Sequence, residues 1–444
     1  MTSTSSTEPT TSGPTPDREA VGRRNLWAVS WTSFFTDVSS QMVFHLLPLY
    51  LTGVVGVKAN VVGLVEGAAA SVASLVKLYA GGLSDRLGAR KRLAVAGYAI
   101  SALAKPLFAL ATTWGQLAAV RWTERVGKGI RTAPRDALLA DGASRKRRGL
   151  VFGVHRAADT AGAVVGLGLA IWLVGGFGGL GAAGGLTAET FRRVVYWSLA
   201  PAFLAVVILV ILARDLPSGD GSIDAKPKPA KPRPAIRFRG LGKRFAVFLG
   251  IVALFDLGNS ADAFLVLRAA EQGIGVGTIL AMVLVWNVVY AATSAPGGWL
   301  SDRFGRRPVL AAGWLLYGTI YLGFALVDRA PGSIWGLFAL YGVYHGLTHG
   351  TAKAMVADLV PADERGTAYG TYACVLGLID LPASVLAGVL WHGAFGWHGL
   401  GGWAPFAFGA ACALLAAIWL LTSSTLSNDV AERSIQLPPS SGSK

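Results

Sequence analysis

The sequence Gly81-Gly-Leu-Ser-Asp-Arg-Leu-Gly-Ala-Arg-Lys-Arg92 is a short basic turn between two long apolar runs. A second copy, Gly298-Trp-Leu-Ser-Asp-Arg-Phe-Gly-Arg-Arg-Pro308, places its aspartate 217 positions after that of the first. The same shift carries Asp141 onto Asp358. One offset that holds at separate landmarks indicates an internal repeat, so we interpret the chain as two related halves.

The composition is strongly apolar. Hydrophobic residues make up 53% of the 444 residues and charged residues only 15%. Apolar runs of about 20 residues, the length that crosses roughly 30 Å of hydrocarbon, recur along the chain. In lipid such runs must be helices, because each backbone polar group needs an internal partner. We therefore predict an all-α integral membrane protein.

The net charge of +15 could indicate a nucleic-acid partner, but its distribution favours another explanation. The excess of lysine and arginine lies in short connections between apolar runs, near 85–92, 144–148, 214–242 and 302–307. This is the positive-inside pattern, which sets topology. We predict a multi-pass protein of the cell membrane, with both termini in the cytoplasm and no nucleic-acid partner.

The apolar runs predict twelve membrane helices in two pseudo-symmetric bundles. They lie near 25–53, 59–83, 92–112, 115–141, 149–175, 194–213, 243–268, 276–299, 308–328, 333–359, 366–391 and 403–422. The predicted regions are a disordered cytoplasmic tail at 1–24, an N-terminal six-helix bundle at 25–213, a basic proline-rich cytoplasmic linker at 214–242, a C-terminal six-helix bundle at 243–422 and a cytoplasmic tail at 423–444.

Two six-helix halves, each with a Gly-x-x-x-Asp-Arg-x-Gly-x-Arg turn after its second helix, resemble the major facilitator superfamily over residues 25–422. The fourth predicted helix carries Arg125-Val-Gly-Lys-Gly-Ile-Arg131, which is similar to the signature of the drug/proton antiporters of that superfamily. The fifth carries Gly162-Ala-Val-Val-Gly-Leu167, where the antiporter motif Gly-x-x-x-Gly-Pro ends in proline. The resemblance implies alternating access, with a central cavity between the halves.

The resemblance also implies that the basic turns act as cytoplasmic latches. The residues of this gate motif are Gly81, Asp85, Arg86, Gly88 and Arg90 in the first half, and Asp302, Arg303, Gly305 and Arg306 in the second. Each aspartate would face the N-terminus of a neighbouring helix, where the dipole favours a carboxylate. The alternative for the cations is that they only anchor the turns at the membrane surface.

The fourth predicted helix carries a stripe of charges on one face. Its members are Arg121, Glu124, Arg125, Lys128, Arg131 and Arg135. At about 100° per residue, their spacings keep them on one side of a helix. A charge at the bilayer centre costs at least ~2.5 kcal/mol, so the stripe must face protein or water.

Four residues of the stripe are predicted to bind substrate: Glu124, Arg125, Lys128 and Arg131. The surplus of positive charge indicates a substrate with an anionic group, or a zwitterion. For Lys128 the alternative is an ion pair with Glu124 one helical turn away. Arg135 either belongs to the site or anchors the helix at the cytoplasmic surface.

Asp37, in the first predicted helix, is a candidate for proton coupling together with Glu124. A carboxyl group in a low-dielectric environment can take up and release a proton near neutral pH, which a proton-coupled carrier needs. The alternative is a permanent salt bridge to a cation of the fourth helix such as Arg125. Lys105 is expected to extend towards the membrane surface.

Other polar residues within predicted helices are further candidates for substrate binding. They are Asp159, Asp256, Asn287, His345 and Asp380. Asp159 could instead pair with Arg156. His345 and His349 are one turn apart, but no other ligand is obvious nearby, so we predict no metal site.

The sequence contains no Gly-x-x-x-x-Gly-Lys-Ser/Thr loop, so ATP-driven transport is not expected, and neither an enzyme nor a cofactor is predicted. We predict a monomeric secondary transporter that exports a small anionic, zwitterionic or amphipathic organic molecule or drug in exchange for protons. One alternative is a proton symporter that imports an organic acid. Another is a membrane sensor that binds a ligand without transporting it.

Overall fold

The computed structural model describes residues 16–87, 90–141, 148–176, 185–215, 241–327, 331–361 and 364–426. The helices in these ranges are α1 (Pro16–Phe44), α2 (Leu47–Gly53), α3 (Ala59–Leu87), α4 (Arg90–Leu110), α5 (Trp114–Asp141), α6 (Arg148–Gly176), α7 (Ala188–Leu212), α8 (Lys243–Gly258), α9 (Ala263–Glu271), α10 (Val276–Phe304), α11 (Arg306–Leu326), α12 (Pro331–Leu359), α13 (Arg365–His392) and α14 (Ala404–Thr422). Two pairs, α1 with α2 and α8 with α9, are broken helices, so the described chain forms twelve membrane helices. The predicted all-α membrane fold is confirmed.

Nine of these helices are long and apolar enough to cross a membrane, with α8 and α9 counted as one span. The three membrane helices of the described chain that are not apolar enough by this criterion are α1, α5 and α12. For α5 the reason is its stripe of charges, which lowers the hydropathy of the helix. The neighbours α1, α3 and α4 pack against α5 and shield it from lipid.

The helices follow the repeat that the basic turns indicate. A shift of 217 residues carries the bounds of α3 onto those of α10, and places α5 within one residue of α12. The interruption at His45 and Leu46 likewise corresponds to Asp262 and Ala263, where α9 begins. Residues 216–240 of the linker predicted at 214–242, and both chain ends, lie outside the described residues.

The first and seventh helices are broken, whereas the sequence predicted continuous helices at 25–53 and 243–268. Pro48 lies in the first turn of α2, where its missing N–H costs no hydrogen bond. At the second break, the Tyr317 hydroxyl donates to the carbonyl of Gly258 at 3.1 Å, and the Ala261 N–H donates to Ser384 Oγ at 3.2 Å. These bonds satisfy backbone groups that a continuous helix would have paired internally.

The first helix also starts earlier than predicted. It begins at Pro16, so residues 16–24, predicted as part of a disordered tail, are helical. Arg24 donates to the carbonyls of Ile211 and Leu212 at the end of α7, at 3.0 and 2.7 Å. These bonds tie the start of the helix to the bundle, and they place a cation at the negative end of the α7 dipole.

The two halves meet along α3 with α13, along α6 with α10, and where α2 touches α9. The α3–α13 contact is made largely by main chain and small side chains. A Cβ atom added to Gly63 would lie 2.2 Å from the carbonyl oxygen of Ser384, and one added to Gly377 would lie 2.2 Å from the Cβ of Ser74. Glycine therefore lets these helices approach as closely as they do.

Candidate functional site

A cavity of about 340 Å³ lies between the halves. Its walls come from α1, α2, α3 and α5, and from the break between α8 and α9 at residues 261–263. The predicted site residues that line it are Asp37, Glu124, Arg125, Lys128 and Arg131. The other predicted binding residues, Asp159, Asp256, Asn287, His345 and Asp380, are not part of this lining.

The position of the α5 stripe follows from glycines on the two flanks of the charged face. A Cβ atom added to Gly127 would lie 2.6 Å from the carbonyl oxygen of Gly97 in α4. One added to Gly129 would lie 2.7 Å from the Cβ of Val76 in α3. Because these faces are packed against main chain and side chains, the charged face of α5 is left for the cavity.

The outer part of the stripe is held by an acid that the sequence analysis missed. Arg121 is buried and forms a two-pronged ion pair with Glu66 of α3, with Nη2 2.7 Å from Oε2 and Nε 3.1 Å from Oε1. The guanidinium group also lies 3.9 Å from the ring centre of Phe44. Glu66 is the single acid in the apolar run 59–84, which is the signal that could have identified it.

Glu124 is buried among arginines. Its Oε2 lies 3.5 Å from Arg121 Nη1 and 3.7 Å from Arg125 Nε, and its Oε1 has no hydrogen-bond partner among the described residues. The alternative of an ion pair between Glu124 and Lys128 is therefore wrong. The arginines compensate the buried carboxylate, as a charge in this environment requires.

Lys128 and Asp37 are different from the rest of the charged lining. Neither side chain forms an ion pair or a hydrogen bond within the described part of the chain, and the Lys128 side chain is exposed to the cavity. The alternative of a permanent salt bridge from Asp37 to Arg125 is thus not formed. Both groups line the same cavity, Asp37 from α1 and Lys128 from α5.

The two inner cations of the stripe have different partners, a hydroxyl and a phenol ring for Arg131 and a carboxylate for Arg135. Arg131 donates to Ser101 Oγ at 2.6 Å, and its guanidinium lies 4.5 Å from the ring centre of Tyr98. Arg135 donates to its neighbour Asp136 at 2.9 Å. Arg131 thus lines the cavity with part of its donor set already used.

Lys105 does not reach the membrane surface as expected. It is only 2% exposed, and its ammonium donates to the hydroxyls of Ser39 and Ser40 in α1. The stem of a lysine can extend to a surface only when no packed neighbour blocks it. Here α1 covers the side chain, so Lys105 is held inside the N-terminal half.

Asp159 lies beside His155, whereas the sequence suggested Arg156 as its partner. His155 Nε2 lies 3.7 Å from Asp159 Oδ1 and 2.9 Å from Ser33 Oγ, which in turn lies 3.2 Å from the Tyr98 hydroxyl. Arg156, the alternative partner, instead donates to the hydroxyl of Tyr290 in the other half at 3.0 Å. Arg156 therefore joins the halves, because it points away from Asp159 towards α10.

The C-terminal half presents aromatic rings where the N-terminal half presents charges. The 217-residue shift carries Glu124 to Tyr341 and Lys128 to His345. The His345 ring stacks on Trp286 at a centroid distance of 5.6 Å, and the Tyr341 hydroxyl donates to Asp262 Oδ1 at 2.8 Å. No cluster of three or more metal-ligating side chains occurs among the described residues.

Three other predicted residues of this half lie away from the cavity lining. The amide of Asn287 donates to the carbonyl of Val283 in its own helix at 2.9 Å. Asp256 in α8 is buried and Asp380 in α13 is partly buried. Asp256 lies one turn before the break between α8 and α9, and Asp380 lies one turn before Ser384, which bonds to that break.

The second basic turn is described in full, whereas Gly88 and the side chains of Asp85 and Arg86 lie outside the described residues. Gly305 has φ of +93°, which favours glycine and lets α11 start directly after α10. Arg306 forms an ion pair with Asp302 and lies 3.5 Å from Asp358 of α12. Arg303 packs over the ring of Trp299, with its guanidinium 5.4 Å from the ring centre.

In the first basic turn, Gly81 lies against Ala133 of α5. Arg90 of the same turn donates to the carbonyl of Ala137 at 3.3 Å.

The sequence profile described as Major Facilitator Superfamily matches residues 29–267 and 246–440. An uncharacterized MFS-type transporter of Methanocaldococcus jannaschii is 33% identical over 91% of this chain and 96% of its own length.

Solved structures of transporters have the same fold. The nucleoside transporter NupG superimposes with a TM-score of 0.71 at 15% identity, over 89% of this chain and 99% of its own. A bacterial homologue of the human lysosomal transporter Spinster, in an inward-facing and unoccupied conformation, gives a TM-score of 0.68 at 18% identity, over 92% of this chain and 96% of its own. The chain therefore belongs to the Major Facilitator Superfamily of membrane transporters.

Proposed function

We propose that this protein is a proton-coupled exporter of a small zwitterionic or anionic organic molecule. The observation that carries the proposal is the pair of opposite charges without partners, Lys128 and Asp37, in one cavity between the halves. Other charged groups of the lining, such as Arg121 and Glu66, already hold each other. A group without a partner in a low-dielectric site favours a ligand that supplies the missing charge.

The anionic end of the substrate binds Lys128 and Arg125. The Arg125 side chain is 18% exposed, and its Nε has no hydrogen-bond partner among the described residues. An ammonium and a guanidinium on adjacent turns of one helix face can bind one carboxylate or phosphate between them. Arg131 supports this pair from one turn deeper.

Asp37 carries the proton. The arginines around Glu124 stabilise its charge, so we assign exchange to Asp37 rather than to Glu124. A cationic group of the substrate and a proton compete for the same carboxylate. Because only one of them can occupy Asp37, substrate leaves when a proton enters, and the result is exchange.

The same geometry makes the direction of coupling depend on the substrate. A purely anionic substrate on Lys128 would repel ionised Asp37 and so favour its protonation. Proton and substrate would then bind together, which is the behaviour of a symporter. Export of a zwitterion and import of an organic acid are therefore distinguished by whether low pH weakens or strengthens binding.

The transporter acts as a monomer in the cell membrane, with both termini in the cytoplasm. Supporting this orientation, Arg90, Arg303 and Arg306 lie in the turns after α3 and α10, at one end of the bundle. At the other end of the bundle the halves meet where α2 touches α9, which supports closure on that side. The cavity would then face the cytoplasm, the side from which an exporter loads.

A ligand panel on the purified protein tests the proposal. Thermal denaturation is measured at pH 6 and pH 8 with zwitterions, organic anions and organic cations. A ligand at 100 times its Kd adds about 2.7 kcal/mol to stability, which is measurable as a rise in Tm. We expect zwitterions to stabilise the protein, more strongly at pH 8, and Lys128→Ala and Asp37→Asn each to abolish the effect.

The matched control is Lys353→Ala, which removes an exposed lysine of α12 that is not part of the cavity lining. It should leave the ligand response unchanged. If anions alone stabilise the protein, and do so more strongly at pH 6, the protein is a symporter rather than an exporter. Stabilisation by organic cations alone that survives Lys128→Ala would refute the proposed anion site.

A further inference from the structure

A second group of buried acids lies in the C-terminal half, around the break between α8 and α9. Asp256 is one turn before the break and is only 6% exposed. Asp380 lies on α13, one turn before Ser384, which accepts the N–H of Ala261 within the break at 3.2 Å. The bond between Ser384 and Ala261 fixes α13 against the break, so the two acids lie at the same level of the half.

Asp256 is poorly compensated. Its Oδ1 accepts one hydrogen bond, from the amide of Asn259 at 3.3 Å, and its Oδ2 has no partner among the described residues. The charge that acts on it is the like charge of Asp380. An ionised carboxylate buried without a cation or a full set of donors is strongly disfavoured.

The surroundings of the pair supply little positive charge. The groups that face Asp256 are Tyr344 of α12 and Tyr372 of α13, both neutral phenols, while Cys412 of α14 packs on the adjacent Gly258. The charges that act on Asp380 are those of Asp262 and of Arg125, a residue of the other half. Neither Asp256 nor Asp380 forms an ion pair within the described chain.

We propose that Asp256 and Asp380 form a second protonation site of the transporter, with the proton on Asp256 and the negative charge on Asp380. Two carboxylates that act on each other in a low-dielectric site do not both ionise, so one keeps its proton. Asp380 is the one that loses it, because Arg125 stabilises its charge. Asp256 has only the weak donor Asn259, and so it holds the proton.

This assignment couples the site to the motion of the halves. Arg125 belongs to α5, whereas the acids belong to α8 and α13, so the cation and the pair are on different rigid bundles. When the halves tilt and Arg125 moves away from Asp380, the pair binds protons more readily. The site thus adds a proton-dependent step that requires neither Asp37 nor the proposed substrate.

Infrared pH-difference spectroscopy on the full chain in lipid tests the inference, with protons as the only probe. We expect a C=O stretching band of a protonated buried carboxyl group at neutral pH. Asp256→Asn should remove this band, whereas the control Asp37→Asn should keep it. Asp380→Asn should keep the band but make it titrate at lower pH, by about one unit or more, because the like charge is gone.

The Asp380→Asn variant retains Asp256, so its shift tests the assignment even if Asp256→Asn does not fold. A band that persists in Asp256→Asn would overturn the proposal. A band that disappears when sodium replaces potassium at constant ionic strength would also overturn it, since the pair would then bind a metal cation. None of these results depends on which substrate the cavity binds, so the site can fail while the proposed function stands.

Discussion

The two halves share their helix positions but compensate their buried carboxylates differently. In the N-terminal half, Glu66 is held by Arg121 at 2.7 Å, and Asp159 lies 3.7 Å from His155. In the C-terminal half, the hydrogen bond to Asp256 comes from an amide, and that to Asp262 comes from the Tyr341 hydroxyl. The repeat fixes where the helices lie, whereas individual side chains decide which half carries cations.

A close helix contact, in contrast, is repeated in both halves. A Cβ atom on Gly129 would lie 2.7 Å from the Cβ of Val76, and one on Gly346 would lie 2.8 Å from the Cβ of Thr293. The shift of 217 residues carries the first pair onto the second. Packing and charge are therefore separable properties of the duplicated bundle, and they can be perturbed separately.

The largest expected effect comes from removing the acid of a compensated pair. Glu66→Gln leaves the buried guanidinium of Arg121 with Glu124 alone, 3.5 Å away, so we expect a loss of about 3 kcal/mol of stability. Asp256→Asn removes an acid that has no cation, so it should cause no loss. The midpoints of thermal denaturation in detergent compare the two. Equal losses would show that the halves do not differ in charge compensation.

An intermediate effect is expected at the repeated glycine contacts. Gly129→Ala and Gly346→Ala should each cost about 1–3 kcal/mol, because the added methyl group overlaps a packed neighbour. Gly168→Ala, on a helix position with open space, is the control and should not destabilise the protein. Unequal losses at the two contacts, measured by the same denaturation, would show that packing has diverged as charge has.

The smallest effect is expected for Lys105→Met. Lys105 is buried and bonded to hydroxyl groups rather than to an acid, so replacing it by an apolar side chain of similar length should change stability by less than about 1 kcal/mol. Ser39 keeps its own hydrogen bond to the carbonyl of Ser198 at 2.6 Å. A drop in Tm as large as that of Glu66→Gln would show that Lys105 balances a carboxylate.

The helices could be predicted because their length and hydropathy are set by the bilayer. The breaks in the first and seventh helices could not, since an apolar run does not show where tertiary bonds replace helical ones. Tyr317 and Ser384, which satisfy the second break, are far from it in sequence. Pro48 is the local sign of the first break, but a proline within an apolar run is also compatible with one continuous membrane helix.

The site could be located from α5, but its pairing could not. Helical spacing alone favours an ion pair between Glu124 and Lys128. In the fold, Arg121 and Arg125 are the cations that lie beside Glu124. The reason is tertiary: Phe44 and Glu66, on other helices, hold Arg121 where it can reach Glu124. A helical pattern identifies the residues that share a face, but the neighbouring helices choose their partners.

The glycine contacts between α3 and α13 have a kinetic consequence. Gly63 meets the main chain of Ser384, and Gly377 meets the Cβ atom of Ser74, so these two contacts bring backbone and short side chains together. When the halves rock, there are few rotamers to reset there, and the activation barrier from this seam is low. We therefore expect the α3–α13 contact to contribute little to the barrier of the transport cycle.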